Sequence, residues 1–237
     1  MPTQPIDVRE ADGRFHTDLG WLDSSHSFSF GPHHDPNNVG HGLLVVSNDD
    51  VVRGGGGFRT HPHRDMEIVT WVLSGELEHK DSVGHHGVIY PGLAQRMSAG
   101  SGIWHSEMNA RGDTDVHFVQ MWVLPDAPGV DPGYEQLDIN AELAKGGLVT
   151  IASGRGEAAA ISIRQRDAVL IGGRLEPDET VEIPDGAHVH LFVATGAGAL
   201  AGAGDVHPGD AVRLTGAGER LFRAAGAGAE LLVWVTA

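Results

Sequence analysis

Two short runs contain residues that could bind a metal ion, Thr60-His61-Pro62-His63 and His105-Ser106-Glu107. Each run places two potential ligands at positions i and i+2, which point to the same face of a β-strand. Two such strands side by side would bring three imidazoles and one carboxylate together. A mixed nitrogen and oxygen donor set of this kind suits one Fe(II), Mn(II), Ni(II), Cu(II) or Zn(II) ion with open coordination positions.

The spacing around both runs argues against a chance pairing, which the 15 histidines of the chain would otherwise make plausible. The first run follows the pattern G-x5-H-x-H-x3-E from Gly55 to Glu67, and the second follows G-x2-H-x3-N from Gly102 to Asn109. These patterns resemble the two motifs of the cupin superfamily, whose fold is a double-stranded β-helix barrel. The chain departs from them in having Gly100 where proline is usual and Gly75 one residue late.

A longer set of segments resembles the pirin family within the cupins. They are Gly20–Phe30, His61–Glu67, Gly75–Ser82 and Met97–Glu107. The resemblance covers residues 5–125 well and the rest of the chain weakly. It implies a bicupin with one iron in the N-terminal barrel, quercetin 2,3-dioxygenase activity as in several members, and a transcription-cofactor role as in the animal members.

The resemblance also assigns the metal ligands, which are His61, His63, His105 and Glu107. Glu67 occupies a position that is a ligand in many other cupins, but in pirins the carboxylate two residues after the third histidine replaces it. Glu107 has a second expected role, because a carboxylate at the metal could accept the proton of an enol or phenol hydroxyl. We therefore expect Glu107 to be catalytic as well.

The 237-residue chain reads as two all-β halves, because short apolar runs alternate with turn residues throughout. We predict an N-terminal cupin barrel at 1–125, a linker at 126–147 with a short helix over 140–145, and a second barrel at 148–237. The Ala/Gly-rich stretches 196–204 and 224–229 are predicted to be turns.

The second half is predicted to be a degenerate barrel without a metal site. Counting back from Gly196 as from Gly75 places Pro184 and Glu182 where the His-x-His pair should be. Counting on from Pro208-Gly209 places Phe222 and Ala224 where the second motif should be. The tempting pair His188 and His190 lies outside this register and is predicted to be structural.

Composition limits the location and the partners. The net charge of −16 and the lack of a basic run argue against direct contact with nucleic acid. No cysteine, no secretory signal and no long apolar run are present, so we expect a cytoplasmic protein with no membrane span. A regulatory role would act through a protein partner. We expect a monomer, since two fused barrels can cover their own sheet edges.

Three functions remain open from the sequence. The first is an Fe(II)-dependent dioxygenase that opens the ring of a flavonol such as quercetin with O2. The second is a non-enzymatic, iron-containing regulator, and the third is another cupin reaction, such as isomerisation, with a redox-silent ion. A closed structural zinc site is disfavoured because such sites more often use cysteine.

Several other side chains receive a plainer interpretation. Histidines 26, 33, 34, 41, 79, 85 and 86 are predicted to be solvated, and Trp71 and Trp104 to belong to the core. Gln95 and Met97 share a strand face and are expected to line the pocket. Gln120 and Trp122 share one face of a strand and Met121 lies on the other, but the sequence leaves open which face points inward.

Overall fold

The computed structural model describes residues 5–237 and is almost entirely β-structure. The strands of the first half are β1 (Ile6–Arg9), β2 (Phe15–Asp18), β3 (Leu22–His26), β4 (Leu44–Val52), β5 (Gly57–His63), β6 (Glu67–Ser74), β7 (Leu77–Asp81), β8 (His86–Ile89), β9 (Leu93–Ser98), β10 (Ile103–Asn109) and β11 (Val116–Val123). A single 3-10 turn, Ala11–Gly13, separates β1 from β2.

The second half continues in the same way after one short helix. Its elements are β12 (Gly133–Asp138), α1 (Asn140–Leu143), β13 (Val149–Ser153), β14 (Ile161–Ser162), β15 (Ala168–Leu175), β16 (Thr180–Ile183), β17 (His188–Leu200), β18 (Gly204–Val206), β19 (Ala211–Thr215) and β20 (Arg220–Thr236). The predicted turns at 196–204 and 224–229 are wrong in large part. Most of the first stretch lies in β17 and all of the second lies in β20, and these two strands pair along their length with bulges.

The N-terminal barrel is built from two sheets. One has seven strands in the order β12-β9-β6-β11-β4-β3-β2, and the other has four in the order β5-β10-β7-β8. Strand β12, inside the predicted linker, therefore belongs to this barrel. The division of the chain at 125 and 148 remains a prediction.

The C-terminal barrel is formed by a nine-stranded sheet whose main path is β1-β19-β17-β20-β15-β13-β14, with β16 and β18 paired to β20 and β17. Strand β1, from the start of the chain, thus lies beside β19 in the second barrel. In the residues described, the N-terminal segment ties the two halves together.

The two barrels pack through the outer faces of their large sheets. Trp71 and Met121 of the first sheet share one apolar cluster with Phe192, Leu232 and Trp234 of the second. Each large apolar side chain removed from water stabilises the fold by roughly 1.5–3 kcal/mol. Polar atoms cross the same boundary, since the Trp71 indole donates a 2.8 Å hydrogen bond to Glu230. The two barrels therefore share an apolar interface, while each barrel also has apolar clusters of its own.

In residues 5–237 no helix combines the length and apolar content needed to cross a membrane.

Candidate metal centre

The two histidine runs lie on neighbouring strands of the small sheet. Strands β5 and β10 are antiparallel, with His61 opposite His105 and His63 opposite Ile103. The imidazole ring centres lie 4.4 Å apart for His61 and His105, and 4.9 Å for His63 and either of the other two. Their donor nitrogens all lie within 4.8 Å of one another. The structure thus brings the three predicted histidine ligands together.

One glycine permits this close approach of the two strands. Gly57 has φ +151°, and a Cβ atom there would lie 2.5 Å from the Glu107 carbonyl oxygen and 2.6 Å from the Met108 Cα. A side chain at this position would push β5 away from β10. Glycine at this position therefore helps to fix the spacing between the histidines of β5 and those of β10.

The hydrogen bonds of the three imidazoles leave nitrogens free to bind a metal. His61 Nδ1 lies 2.8 Å from the Arg59 carbonyl, so this nitrogen carries the proton and Nε2 keeps a lone pair. Nε2 of both His63 and His105 is buried without a hydrogen-bond partner. Buried polar atoms are rarely unpaired in proteins, so these orphaned nitrogens fit a metal ion well.

The electrostatics agree with neutral imidazoles at this site. Burial, reinforced by neighbouring histidines, lowers the pKa of His63 to about 4 and that of His105 to about 3. Metal ions bind the neutral imidazole, so both rings are ready to act as ligands at neutral pH.

Glu107 reaches the same region through an irregularity in β10. The pairing register with β5 shifts between His105 and Glu107. Its carboxylate is buried and accepts 2.8 Å hydrogen bonds at both oxygens from Nε2 of Gln120. A donor oxygen of Glu107 lies within 4.8 Å of donor nitrogens of His105 and His79.

The structure therefore shows two overlapping groups of possible ligands that share His105. Within residues 5–237, the donor oxygen of Glu107 groups with His105 and His79, and not with His61 and His63. The four predicted ligands therefore do not all lie within 4.8 Å of one another. The residues as placed suit one metal ion at His105. The assignment of Glu107 as its fourth ligand remains a prediction.

His79 is one of the residues that the sequence interpretation placed wrongly. It was expected to be solvated, but it is 1% exposed on β7 and its Nδ1 lies 3.5 Å from Nδ1 of His105. Leu77, His79 and Asp81 alternate along β7, so strand parity could have indicated an inward face. The polar turn between β7 and β8 instead favoured the prediction that His79 is solvated.

A buried polar chain continues behind His79. The Asp81 carboxylate lies 3.3 Å from Nε2 of His79 and 2.9 Å from Nδ1 of His85. Burial raises the pKa of Asp81, but hydrogen bonds from the His85 backbone and ring outweigh burial and leave it below the ordinary value. His85 stacks on Tyr134, whose ring also contacts His79. His105 is thus backed by an ordered network.

The inward face of β11 carries Gln120 and Trp122. The Trp122 indole donates a 3.0 Å hydrogen bond to Oε1 of Gln120, and its ring lies 4.9 Å from that of His63 and 5.6 Å from that of Phe30. Met121 points the other way and accepts a hydrogen bond at its sulfur from Trp234 of the second barrel. The face that the sequence left open is therefore settled.

Other expectations divide between right and wrong. Trp71 is buried as predicted, whereas Trp104 is 54% exposed because it alternates with the inward-facing His105. His26 is buried, not solvated, and hydrogen-bonds to Asn48 and Thr17. His85 is half-buried and His86 is exposed.

Glu67 lies away from the three histidines and helps to join the barrels. Its Oε2 accepts hydrogen bonds from the Ser98 hydroxyl at 2.8 Å and the Arg164 backbone N–H at 3.0 Å.

The second barrel has buried apolar side chains, Phe222 and Ala224, at the positions that the count assigned to the second motif. Strand β16 pairs with β20 so that Val181 lies opposite Phe222, which is fully buried. Over residues 5–237, groups of three potential ligands occur only around His105 in the first barrel. His190 is buried beside Phe28, and His188 hydrogen-bonds to the Ala237 carbonyl, as expected for structural histidines.

Comparison with known proteins identifies the family. The sequence pattern of the family described as Pirin matches residues 8–123, and that described as Quercetinase C-terminal cupin domain matches residues 150–234. The chain belongs to the pirin family. The expected all-β bicupin fold is confirmed.

Individual pirins resemble the chain along most of its length. A Mycobacterium tuberculosis protein with a provisional quercetin 2,3-dioxygenase name is 54% identical over 98% of this chain and 95% of its own. The Escherichia coli protein named quercetin 2,3-dioxygenase is 48% identical over 59% of this chain and 61% of its own. The crystal structure of Escherichia coli pirin YhhW in complex with nickel(II) superposes with a TM-score of 0.89 at 35% identity, covering 98% of this chain and 99% of the other.

Proposed function

We propose that this pirin is an Fe(II)-dependent dioxygenase that opens the ring of a flavonol such as quercetin with O2. The observation that carries the proposal is the cluster of three imidazoles, two of which have buried nitrogens without a hydrogen-bond partner. The names of the relatives support the substrate class.

The ligand set in this proposal is His61, His63, His105 and Glu107. A bound redox-active ion would supply open coordination positions and the electron transfer that lets O2 react with a closed-shell organic molecule. Three neutral imidazoles and one carboxylate also accept Mn, Ni, Cu or Zn, and the nickel complex of the Escherichia coli pirin illustrates this breadth. Fe(II) is proposed because it is redox-capable, as the reaction requires, and because the resemblance to pirins implies iron.

Glu107 is proposed to act as the general base. Its carboxylate would accept the proton of the flavonol hydroxyl at one oxygen, leaving an electron-rich enolate that is easier to oxidise. The Gln120 amide nitrogen donates hydrogen bonds to both carboxylate oxygens of Glu107, and the Trp122 indole donates to the Gln120 amide oxygen. This chain of hydrogen bonds positions the base.

The aromatic wall of the site suits a flat substrate. Trp122 lies edge-on to both His63 and Phe30, so an aromatic surface stands beside the imidazole cluster. Aromatic rings attract one another in offset or edge-to-face arrangements. We propose that this wall orients the flavonol rings.

The deciding experiment combines elemental analysis with an aerobic quercetin assay on one purified sample. About one iron per chain, and quercetin loss that stops when the metal is removed, would support the dioxygenase. The variants His61→Ala, His63→Ala and His105→Ala should lose both metal and turnover. His86→Ala is the matched control, because His86 lies on β8 of the same sheet and is exposed.

Two other results would change the proposal. Iron without turnover would favour a regulator that acts through a protein partner, and a redox-silent native ion would favour another cupin reaction. Failure to bind any metal after reconstitution would overturn the site itself. The monomeric state and the cytoplasmic location remain predictions from the sequence.

A further inference from the structure

A polar cavity that shares no lining residue with the histidine cluster lies where the N-terminal segment meets the second barrel. Its volume is about 250 Å³, and its wall includes Arg9, Glu10, Arg14, Ser27, Asn38 and Arg213. Strand β1 pairs with β19, which carries Arg213, whereas Ser27 follows β3 of the first barrel. The cavity therefore lies between the two barrels.

Arg213 is a buried cation that forms no ion pair within residues 5–237, although Asp7 lies opposite it on β1 and attracts its charge. Its Nη2 donates 2.8 Å hydrogen bonds to two neutral oxygens, the Ser27 carbonyl and Oδ1 of Asn38. Its Nε is buried without a partner, and the guanidinium lies 4.6 Å from the ring centre of Phe28. Burial, followed by repulsion from Arg9, lowers the pKa of Arg213 to about 10. A buried charge without a counter-ion is costly, so this group favours a bound anion.

Arg14 is a second buried guanidinium on the same wall. Its Nη2 forms a 3.0 Å ion pair with Asp49, a carboxylate that is shared with His117. Nε and Nη1 of Arg14 are buried and have no hydrogen-bond partner. The side chain is only 7% exposed and its charge centre lies 5.3 Å from the ring centre of Phe192. Asp49 thus pairs with one nitrogen of Arg14, and the Nε and Nη1 donors of Arg14 have no acceptor.

The remaining polar groups add a donor and little negative charge. The Ser27 hydroxyl is buried and has no hydrogen-bond partner. Arg9 is exposed and paired with Asp7, and Glu10 is the one acidic side chain among the residues that line the cavity. Three guanidiniums around one cavity stand out in a chain of net charge −16.

We propose that this cavity binds a small oxyanion, with a phosphate or carboxylate group held between Arg14 and Arg213 and hydrogen-bonded by Ser27. Guanidinium groups match the geometry of both anions. A site between the barrels would couple anion binding to the stability of the whole chain, since a ligand that binds only the folded state stabilises it.

The test measures binding of inorganic phosphate and of succinate by calorimetry, and the midpoint of thermal unfolding, with sodium chloride at matched ionic strength as the reference. The wild-type protein should bind at least one probe saturably. At a concentration about a hundredfold above Kd, that probe should raise the midpoint by about 5–10 °C. Preference for phosphate or for succinate identifies which oxyanion group the site takes.

Variants locate the binding site. Arg213→Gln should weaken binding about tenfold or more, and Ser27→Ala about fivefold. Arg223→Gln is the control, because Arg223 is an exposed arginine paired with Asp178 and should leave binding unchanged. Ser27→Ala removes no charge and keeps the proposal testable if Arg213→Gln does not fold. Absence of saturable binding of both probes, or wild-type affinity in Ser27→Ala and any folded Arg213→Gln, would overturn the proposal.

Discussion

Gln120 donates one amide group to both carboxylate oxygens of Glu107, with Nε2 lying 2.8 Å from each. Strand β11 supplies the amide and β10 the carboxylate, so two sheets of the first barrel meet at this contact. The Trp122 indole fixes the other end of the amide. The orientation of the proposed base is therefore set by residues that bind no metal in our proposal.

We expect Gln120→Ala to lower kcat for quercetin about tenfold while the iron content stays near one per chain. The carboxylate would keep its place on β10 but lose the donor that orients it, and misplaced catalytic groups are costly. Stopped-flow or steady-state assays with parallel iron analysis measure both effects. Thr180→Ala, at an exposed strand position of the second barrel, serves as the control, and equal kcat in the two variants would contradict the positioning role.

Removal of the buried network behind His105 should weaken metal binding. In His79→Ala the ring beside His105 is lost, and changes in residues that support a ligand commonly cost 10–100-fold in metal affinity. We expect roughly tenfold faster loss of iron to a chelator, with the fold retained. His86→Ala is again the matched control, and identical iron loss from both variants would exclude a supporting role for His79.

The three histidines could be predicted because strand parity is a local property of the chain. The i, i+2 spacing places both ligands of each run on one face whatever the partner strand, and the same rule explains the exposure of Trp104 beside His105. The contact between His79 and His105 depends on the pairing of β7 with β10, which no local pattern specifies.

The packing of the two barrels against each other also could not be predicted from local sequence patterns. Strand β1 pairs with β19, about 200 residues later, and the buried Arg213 contacts Ser27 across the same boundary. These contacts depend on how two complete sheets pack, so they cannot be predicted from composition or hydrophobic periodicity. The Ala/Gly-rich stretch 224–229 was mistaken for a turn because glycine and alanine are weak strand formers in isolation.

Asp50 should make the stability of the metal-free protein depend on pH. It is buried and accepts a hydrogen bond from the Ser24 hydroxyl, and burial raises its pKa from 3.8 to about 7. The folded state therefore binds this proton more tightly than the unfolded state. The contribution of Asp50 to stability is greatest below pH 4 and falls as the pH rises to about 7, by up to about 4 kcal/mol.

Asp50→Asn should remove this dependence. In urea unfolding of metal-free protein, the variant should gain stability relative to the wild type between pH 5 and pH 8, by a few kcal/mol. Asp23→Asn, at an exposed position on the same strand as Ser24, should show no such gain. A constant difference between Asp50→Asn and the wild type at both pH values would contradict the assignment.

Glu67 provides a test that separates stability from metal binding. Its Oε2 alone accepts the hydrogen bonds from Ser98 and from the Arg164 backbone, so an amide oxygen can replace it. Burial raises the pKa of Glu67 even though Arg96 lies 4.0 Å from Oε2, so replacing the carboxylate by a neutral amide should cost little. We therefore expect Glu67→Gln to change the free energy of unfolding by less than about 1 kcal/mol.

Glu67→Ala should behave differently, because it leaves two donors at the barrel interface without an acceptor. We expect a loss of roughly 2–3 kcal/mol in urea unfolding, from the unpaired donors and the space left behind.

Both Glu67 variants should retain iron and quercetin turnover at wild-type levels per folded chain. Glu107→Gln should show the reverse pattern, with turnover lost and stability nearly kept. Loss of iron in Glu67→Gln would instead place Glu67 among the ligands, as in other cupins, and would require a different role for Glu107.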